Sequence, residues 1–208
     1  MRVKKWLNKN RALFLFCEWE SEVCYFSQLK IEKWYNVPII KREWQIPKTK
    51  SKLKTLKKRL YLISWYTRND FEETNSKIFY IADLDHSKNS NDYKQKDIDF
   101  IKQNLQDENI IVIWSNTDFE LWILLHFILY KKENNNYISE INKLSWIKYK
   151  KWDWLWCVKF YREIIEKFLD KAYKNAAELE QFNIYQWKKD IKNMLPYTEV
   201  YKIIDYFQ

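Results

Sequence analysis

The chain contains no glycine in 208 residues, yet it carries twelve tryptophans. An ordinary domain is about 7% glycine, so roughly fourteen are missing. Glycine supplies the positive-φ turns and close backbone approaches that α/β folds rely on. Several tryptophans stand where glycine is expected. Trp19 follows an apolar run, in Cys17-Glu18-Trp19-Glu20. Trp34-Tyr35-Asn36 and Trp65-Tyr66-Thr67 lie in polar breaks, and Trp152-Asp153-Trp154 follows Lys150 and Lys151. We read most of these as glycine in the organism: a gene that uses UGA for glycine, translated with a table that reads UGA as tryptophan, gives this pattern. The competing reading is a drifted, tryptophan-rich protein. The codon at position 19 separates the two.

The length suits one domain, or one domain with a small appendage, and a hydrophobic content of 47% supports a sizeable core. No apolar run reaches the ~20 residues that span a bilayer. The longest, Leu121 to Leu129, is short and contains His126, and Ala12 to Cys17 is too short for a signal segment. No membrane partner is expected. Cys17, Cys24 and Cys157 form no CxxC pair and leave one cysteine unpaired, which fits a reducing compartment and a cytoplasmic protein. With only His86 and His126 there is no zinc constellation.

The net charge of +9 favours a polyanionic partner, nucleic acid first. The chain is also rich in residues that AT-rich codons encode, so part of the charge has a genomic explanation. The segment Lys48 to Arg59 is less easily explained that way. It carries Lys48, Lys50, Lys52, Lys54, Lys57, Lys58 and Arg59 around an apolar stripe of Leu53, Leu56, Leu60 and Ile63. It reads as a helix with one face on the core and a basic outer face, which is either simply solvated or a phosphate-binding surface.

The order of elements is regular. Ala12 to Cys17 is a short apolar run of the kind found in buried parallel strands. Glu20 to Lys30 reads as a helix, Val37 to Ile40 as an edge strand because of Pro38, and the lysine-rich helix follows. Ile78 to Ala82 is a strand ending in Asp83-Leu84-Asp85. Asp97 to Leu105 is helical, Ile110 to Ile113 is a strand ending at Ser115-Asn116, and Asp118 to Leu129 reads as a buried helix. This alternation specifies an α/β fold with a mostly parallel sheet flanked by helices. Beyond it, Lys143 to Tyr149 is a loop or short helix, Cys157 to Leu179 is helical in one or two pieces, and a last helix runs from Thr198 to Phe207. The loop Lys131 to Tyr137 divides the chain into an α/β domain, 1–130, and a helical C-terminal extension, 131–208.

Three strands end in polar groups: Glu18, then Asp83 with Asp85, then Ser115 with Asn116. Ligands of open parallel sheets bind outside the carboxyl ends of the strands, so these residues converge on one rim. Asp83 and Asp85 point the same way in extended backbone. Clustered carboxylates need a compensating cation, and their hard oxygens suit Mg²⁺ or Mn²⁺. On a basic protein such a site points to phosphoryl chemistry. The bland reading of Asp-Leu-Asp after a strand is a loop or a helix N-cap.

The residues that follow carry a resemblance. Glu18 after one apolar strand and Asp83-Leu84-Asp85 after another resemble the Toprim domain of topoisomerases, primases and OLD-type nucleases. Cys17-Glu18-Trp19-Glu20-Ser21-Glu22 through Tyr25-Phe26, the Asp83-Leu84-Asp85 motif, and Ser115-Asn116-Thr117-Asp118-Phe119-Glu120-Leu121-Trp122 through His126-Phe127 resemble the RloB-like family. Ala172 to Leu179 and Leu195-Pro196-Tyr197-Thr198-Glu199-Val200 are similar to its closing stretches. The resemblance implies a Toprim-like sheet, a Mg²⁺-dependent nuclease acting on DNA or RNA in bacterial defence against phage or plasmid, and an ATPase partner of the AAA/ABC type. It implies metal ligands Glu18, Asp83, Asp85 and Glu120, with Asn116 and His126 beside them. Two departures stand out: Thr117 replaces the family's proline, and Trp19 replaces its glycine.

Other readings remain for several of these residues. Glu120, in an apolar helix, is a ligand, a support for one, or one half of a core salt bridge. Ser115 and Asn116 either bond a phosphate or metal ligand or cap the next helix. His126 is a satisfied core histidine, a ligand or an acid. Glu20 and Glu22 are further ligands or acids favoured by a helix N-terminus, and Lys150 and Lys151 are phosphate contacts or surface charge. The alternative function is a catalytically inactive, basic nucleic-acid-binding or adaptor subunit with a degenerate core.

Overall fold

The structure, a computed structural model, describes residues 13–17, 19–32, 38–41, 48–64, 68–84, 94–105, 109–116, 118–132, 136–150 and 154–206. The apolar runs form one sheet of β1 (Leu13–Cys17), β2 (Ile39–Lys41), β3 (Lys77–Asp83), β4 (Ile110–Asn116) and β5 (Tyr197–Thr198). The spatial order is β2-β1-β3-β4-β5. The first four strands run parallel, and β5 lies antiparallel to β4. The helices are α1 (Glu20–Glu32), α2 (Lys50–Ser64), α3 (Arg68–Thr74), α4 (Gln95–Leu105), α5 (Glu120–Leu125), α6 (Tyr137–Leu144), α7 (Trp154–Tyr185) and α8 (Tyr201–Ile204). The fold is α/β, with a C-terminal helical segment.

Successive side chains on a strand face opposite ways, and here both faces are covered. Leu13, Leu15 and Cys17 of β1 join Phe79 and Ile81 of β3 in a core shared with α1, α5, α6 and α7. Phe14 and Phe16 join Ile78, Tyr80 and Ala82 in a second core under α2, α3 and α4. Burial on both faces is why these strands read as unbroken apolar runs rather than alternating ones.

The outline departs from the sequence reading mainly in the C-terminal half. Helix α5 stops at Leu125, because His126 N–H and Phe127 N–H bond three residues back, to Ile123 and Leu124, tightening the last turn. Helix α6 starts earlier than the segment expected to be loop or short helix, capped by Asn136, whose side chain accepts from Ser139 N–H at 3.0 Å. Helix α7 is one piece of 32 residues. The expected helix over Thr198 to Phe207 begins instead as β5, because Thr198 and Tyr197 pair with Ser115 and Asn116, and only Tyr201–Ile204 is helical. The C-terminal segment thus contributes a strand to the sheet. Among the cysteines, Cys17 is buried and Cys24 is disulfide-bonded, so the three do not all remain thiols. Among the described residues no helix is long and apolar enough to cross a membrane.

One tryptophan has a backbone that suits glycine. At the end of α7, Lys188 N–H bonds Asn183 O at 3.2 Å and Trp187 N–H bonds Ile184 O at 2.9 Å. This is the Schellman arrangement, whose turning residue adopts the left-handed conformation and is usually glycine. Trp187 occupies it with φ of 58° and is 85% exposed. Among the described residues the other left-handed ones are Asn75 and Asn109, a type that tolerates the conformation. Trp114 and Trp122, by contrast, are fully buried. Trp19 is exposed but not left-handed, and Trp34, Trp65 and Trp152 lie outside the described residues.

Candidate active site

In a parallel sheet ordered β2-β1-β3-β4, the connections diverge between β1 and β3, and the crevice at their carboxyl ends is the site such sheets use for ligands. Strand β3 ends there in Asp83, and β1 ends in Cys17, with Glu18 the next residue. Glu18 and Asp85 lie outside the described residues, as does Thr117. Asp83 sits opposite Ser115 of β4. By alternation it shares the face of Phe79 and Ile81, the face packed by α1, α5 and α7.

Two further carboxylates come from that layer. Helix α1 begins just after β1, and Glu22 in its first turn is fully buried; its Oε2 accepts from Trp19 N–H at 3.2 Å. Helix α5 begins just after β4, and its first residue, Glu120, is also buried. Burying a carboxylate is costly unless donors reach it. The Tyr149 hydroxyl donates to Glu120 Oε1 at 3.0 Å and lies 3.1 Å from the Tyr161 hydroxyl. Since Tyr149 gives its proton to a carboxylate oxygen, Tyr161 is the donor to Tyr149. Burial pushes both phenols well above their ordinary range, and the charges of Glu120 and Glu22 push Tyr161 further the same way. Both hydroxyls therefore keep their protons, and the two carboxylates flank one tyrosine.

His126 lies past the far end of α5 from Glu120 and is fully buried. Its Nδ1 is 3.0 Å from Trp122 O and its Nε2 3.1 Å from the Tyr25 hydroxyl. A carbonyl only accepts, so Nδ1 carries the hydrogen and Nε2 accepts from Tyr25. Burial pushes the imidazole down to about 4, leaving it neutral. Both ring nitrogens are committed to protein groups, as in a satisfied core histidine.

Asn116 is turned to the C-terminal segment. Its Nδ2 donates to the carbonyls of Ile191 at 2.8 Å, Lys192 at 3.2 Å and Met194 at 2.9 Å. These bonds turn the amide nitrogen to the C-terminal segment, and Phe119, the N-cap of α5, has no side-chain cap. Ser115 Oγ sits 3.0 Å from Thr198 Oγ1. Both residues fasten β5 and the turn before it to the sheet.

The basic helix starts at the same edge. Lys192, already bound to Asn116 at the end of β4, donates its N–H to Gln95 Oε1 at 3.1 Å, which places the start of α4 there. Lys48 pairs with Asp97 of α4 at 3.7 Å, bringing the start of α2 alongside. Leu53, Leu56 and Leu60 are buried, while Lys50, Lys52, Lys54, Lys58 and Arg59 are exposed. Lys150 is exposed as well, and Lys151 lies outside the described residues.

Among the described residues no three His, Cys, Asp or Glu side chains converge as a metal cage. Of the carboxylates named for a cation, Asp83 and Glu120 are described, and their hard oxygens suit Mg²⁺. The sequence reading holds Tyr25 only as an inward residue of the family motif and misses Tyr149 and Tyr161. Tyr149 lies in a lysine-rich loop with no periodicity to mark it, and the signal that such a residue exists is Glu120 itself, an acid in an apolar helix that requires a donor.

The sequence model of the family described as RloB-like protein matches residues 13–207, nearly the whole chain. No curated protein and no solved structure matches it.

Proposed function

The chain belongs to the RloB-like family, and we propose that it is a Mg²⁺-dependent, Toprim-type nuclease that hydrolyses phosphodiester bonds of DNA or RNA. The observation that supports this best is the position of Asp83, at the carboxyl end of β3 and beside the strand that leads into Glu18, in the crevice where the connections diverge. In this reading Glu18, Asp83 and Asp85 hold Mg²⁺ or Mn²⁺, and Glu120 serves as a further ligand or steadies one. The ion, when bound, polarises a phosphate oxygen and lowers the pKa of a water. Tyr149 and Tyr161 hold Glu120 in place, and the exposed lysines of α2 neutralise the phosphate backbone running away from the site.

The proposal takes position 19 as glycine in the organism, encoded by UGA, since an indole beside Glu18 crowds an approaching phosphate. By family resemblance it extends to bacterial defence against phage or plasmid, a cytoplasmic setting and an ATPase partner of the AAA/ABC type.

The test is cleavage of labelled DNA and RNA by purified protein carrying glycine at position 19, with Mg²⁺ or Mn²⁺. Cleavage that is lost in Asp83→Ala and in Glu18→Gln upholds the reading. Salt-dependent binding that survives both substitutions, without cleavage, overturns it in favour of a basic nucleic-acid-binding adaptor. That second reading is favoured by one observation, the exposed Trp19 next to Glu18.

A further inference from the structure

The backbone of the sheet edge beyond β4 is only half paired. Ile78 N–H bonds Asn109 O at 2.9 Å and Leu84 N–H bonds Ser115 O at 2.7 Å. In a parallel ladder this register turns the N–H and C=O of the odd-numbered residues of β4 toward β3, and those of the even-numbered residues outward. The C-terminal segment answers two of the outward residues. Asn116 pairs with Tyr197 of β5. Trp114 donates its N–H to Glu199 Oε2 at 3.1 Å and accepts from Glu199 N–H at 2.8 Å. The chain then turns away into α8. Val112 and Ile110 come next along the edge, and among the described residues nothing pairs with them on that side.

A cleft of about 440 Å³ opens along this stretch, walled by β4, Lys77, Lys102, Lys202, Glu199 and Tyr206. Three lysines and one glutamate thus line its wall. Lys102 and Lys202 both reach Glu199 Oε1, at 3.1 and 3.4 Å, and Lys202 also reaches Glu180 Oε1 at 2.8 Å, while Lys77 Nζ donates to the neutral Asn109 Oδ1 at 2.7 Å.

We propose that this edge receives an extended, acidic segment of a partner protein as an added strand beside β5. The partner's backbone meets the outward groups of Val112 and Ile110, the pairing mode by which sheet edges capture peptides. Its carboxylates meet the charge left over by Lys77, whose ammonium faces a neutral amide. The lysines of the wall select against a second copy of this chain, since edge-to-edge pairing would bring like charges together on a chain of net charge +9. The inference stands independently of the nuclease reading.

The probe is a dye-labelled peptide of about eight residues, a common strand length, alternating glutamate and valine, with a lysine–valine peptide as control. Binding is read by fluorescence anisotropy and the Val112 amide by hydrogen exchange on the full chain. The expected result is acidic-peptide binding at least about tenfold tighter than the control, with Val112 exchange slowed at least about tenfold. Lys77→Glu, a side-chain change that leaves the backbone pairing of Lys77 with Leu13 in place, is expected to weaken binding several-fold. Val112→Pro, which removes the outward donor, is expected to abolish it; the exchange measurement on the unaltered chain decides the matter should that variant fail to fold. Absence of binding, equal binding of both peptides, or binding that leaves Val112 exchange unchanged overturns the proposal. So does Val112 protection that grows with protein concentration in the absence of peptide, which identifies a second copy as the occupant.

Discussion

The Tyr149 hydroxyl reaches Glu120 Oε1 at 3.0 Å inside the core, although the two residues are 29 positions apart in the chain. One comes from a loop after α6 and the other opens α5, so their bond ties the C-terminal third to the rim of the sheet. Tyr149→Phe keeps the ring contact with Phe160 and removes only the donor. A buried carboxylate deprived of a donor costs about 1–3 kcal/mol, and urea unfolding is expected to show a loss in that range with the m-value unchanged. The Tyr149→Phe, Glu120→Gln double variant is expected to lose less than the sum of the singles, because the two share one interaction.

His126 makes stability depend on pH. Burial holds its imidazole at about 4, against an ordinary 6.5 in the unfolded chain. Between those values the unfolded state binds a proton that the folded state refuses, so this contribution is whole above the upper value and is lost as pH falls toward the lower one. The full difference corresponds to about 3 kcal/mol. Urea midpoints taken between about pH 7 and about pH 4.5 are expected to fall more steeply for the parent chain than for His126→Gln. Equal slopes would show that the imidazole is not the titrating group.

Trp187→Gly is expected to stabilise the fold. A non-glycine residue in the left-handed conformation costs roughly 1–2 kcal/mol, and the exposed indole has little burial to offset it. The measurement is the thermal midpoint of the variant against the parent. The same change at fully buried Trp114 or Trp122 is expected to cost at least about 3 kcal/mol. The source DNA is expected to carry UGA at codons 187 and 19 and UGG at codons 114 and 122.

Asn116→Ala is expected to remove the amide that bonds three carbonyls and release the turn before β5. The cost is about 2 kcal/mol or more, and limited proteolysis is expected to open cleavage sites between residues 188 and 196. Proteolysis unchanged from the parent would mean that this segment is held by other contacts.

How much was legible in the sequence depended on how far each element relies on its own residues. β1, β3 and β4 were readable because burial on both faces demands continuous apolar runs. Helix α2 was readable because Leu53, Leu56 and Leu60 recur at helical spacing. β5 was not, because two residues paired to a distant strand leave no periodic trace, and Tyr201 to Ile204 soon after it are helical. Helix α5 was overdrawn because apolar residues persist through Leu129 while the backbone tightens at His126. The acidic rim was legible in its acids and illegible in its hydroxyls: Glu120 stands out in an apolar context, whereas Tyr149 is one tyrosine among fifteen. Trp187 went unmarked although it follows a helix end, the kind of place where tryptophan was read as glycine elsewhere in the chain.

The late origin of β5 and of the tyrosine pair has a consequence for the timing of synthesis. Asp83 and Glu120 leave the ribosome before Tyr149, Tyr161 and Thr198 have been added. At about 5–20 residues per second, the acids wait on the order of seconds for the hydroxyls and the edge strand that set their positions. A nascent chain therefore has the acids of the rim without their supports. Under the proposed nuclease reading, that delay keeps the site unfinished while the chain is still being made beside ribosomal and messenger RNA.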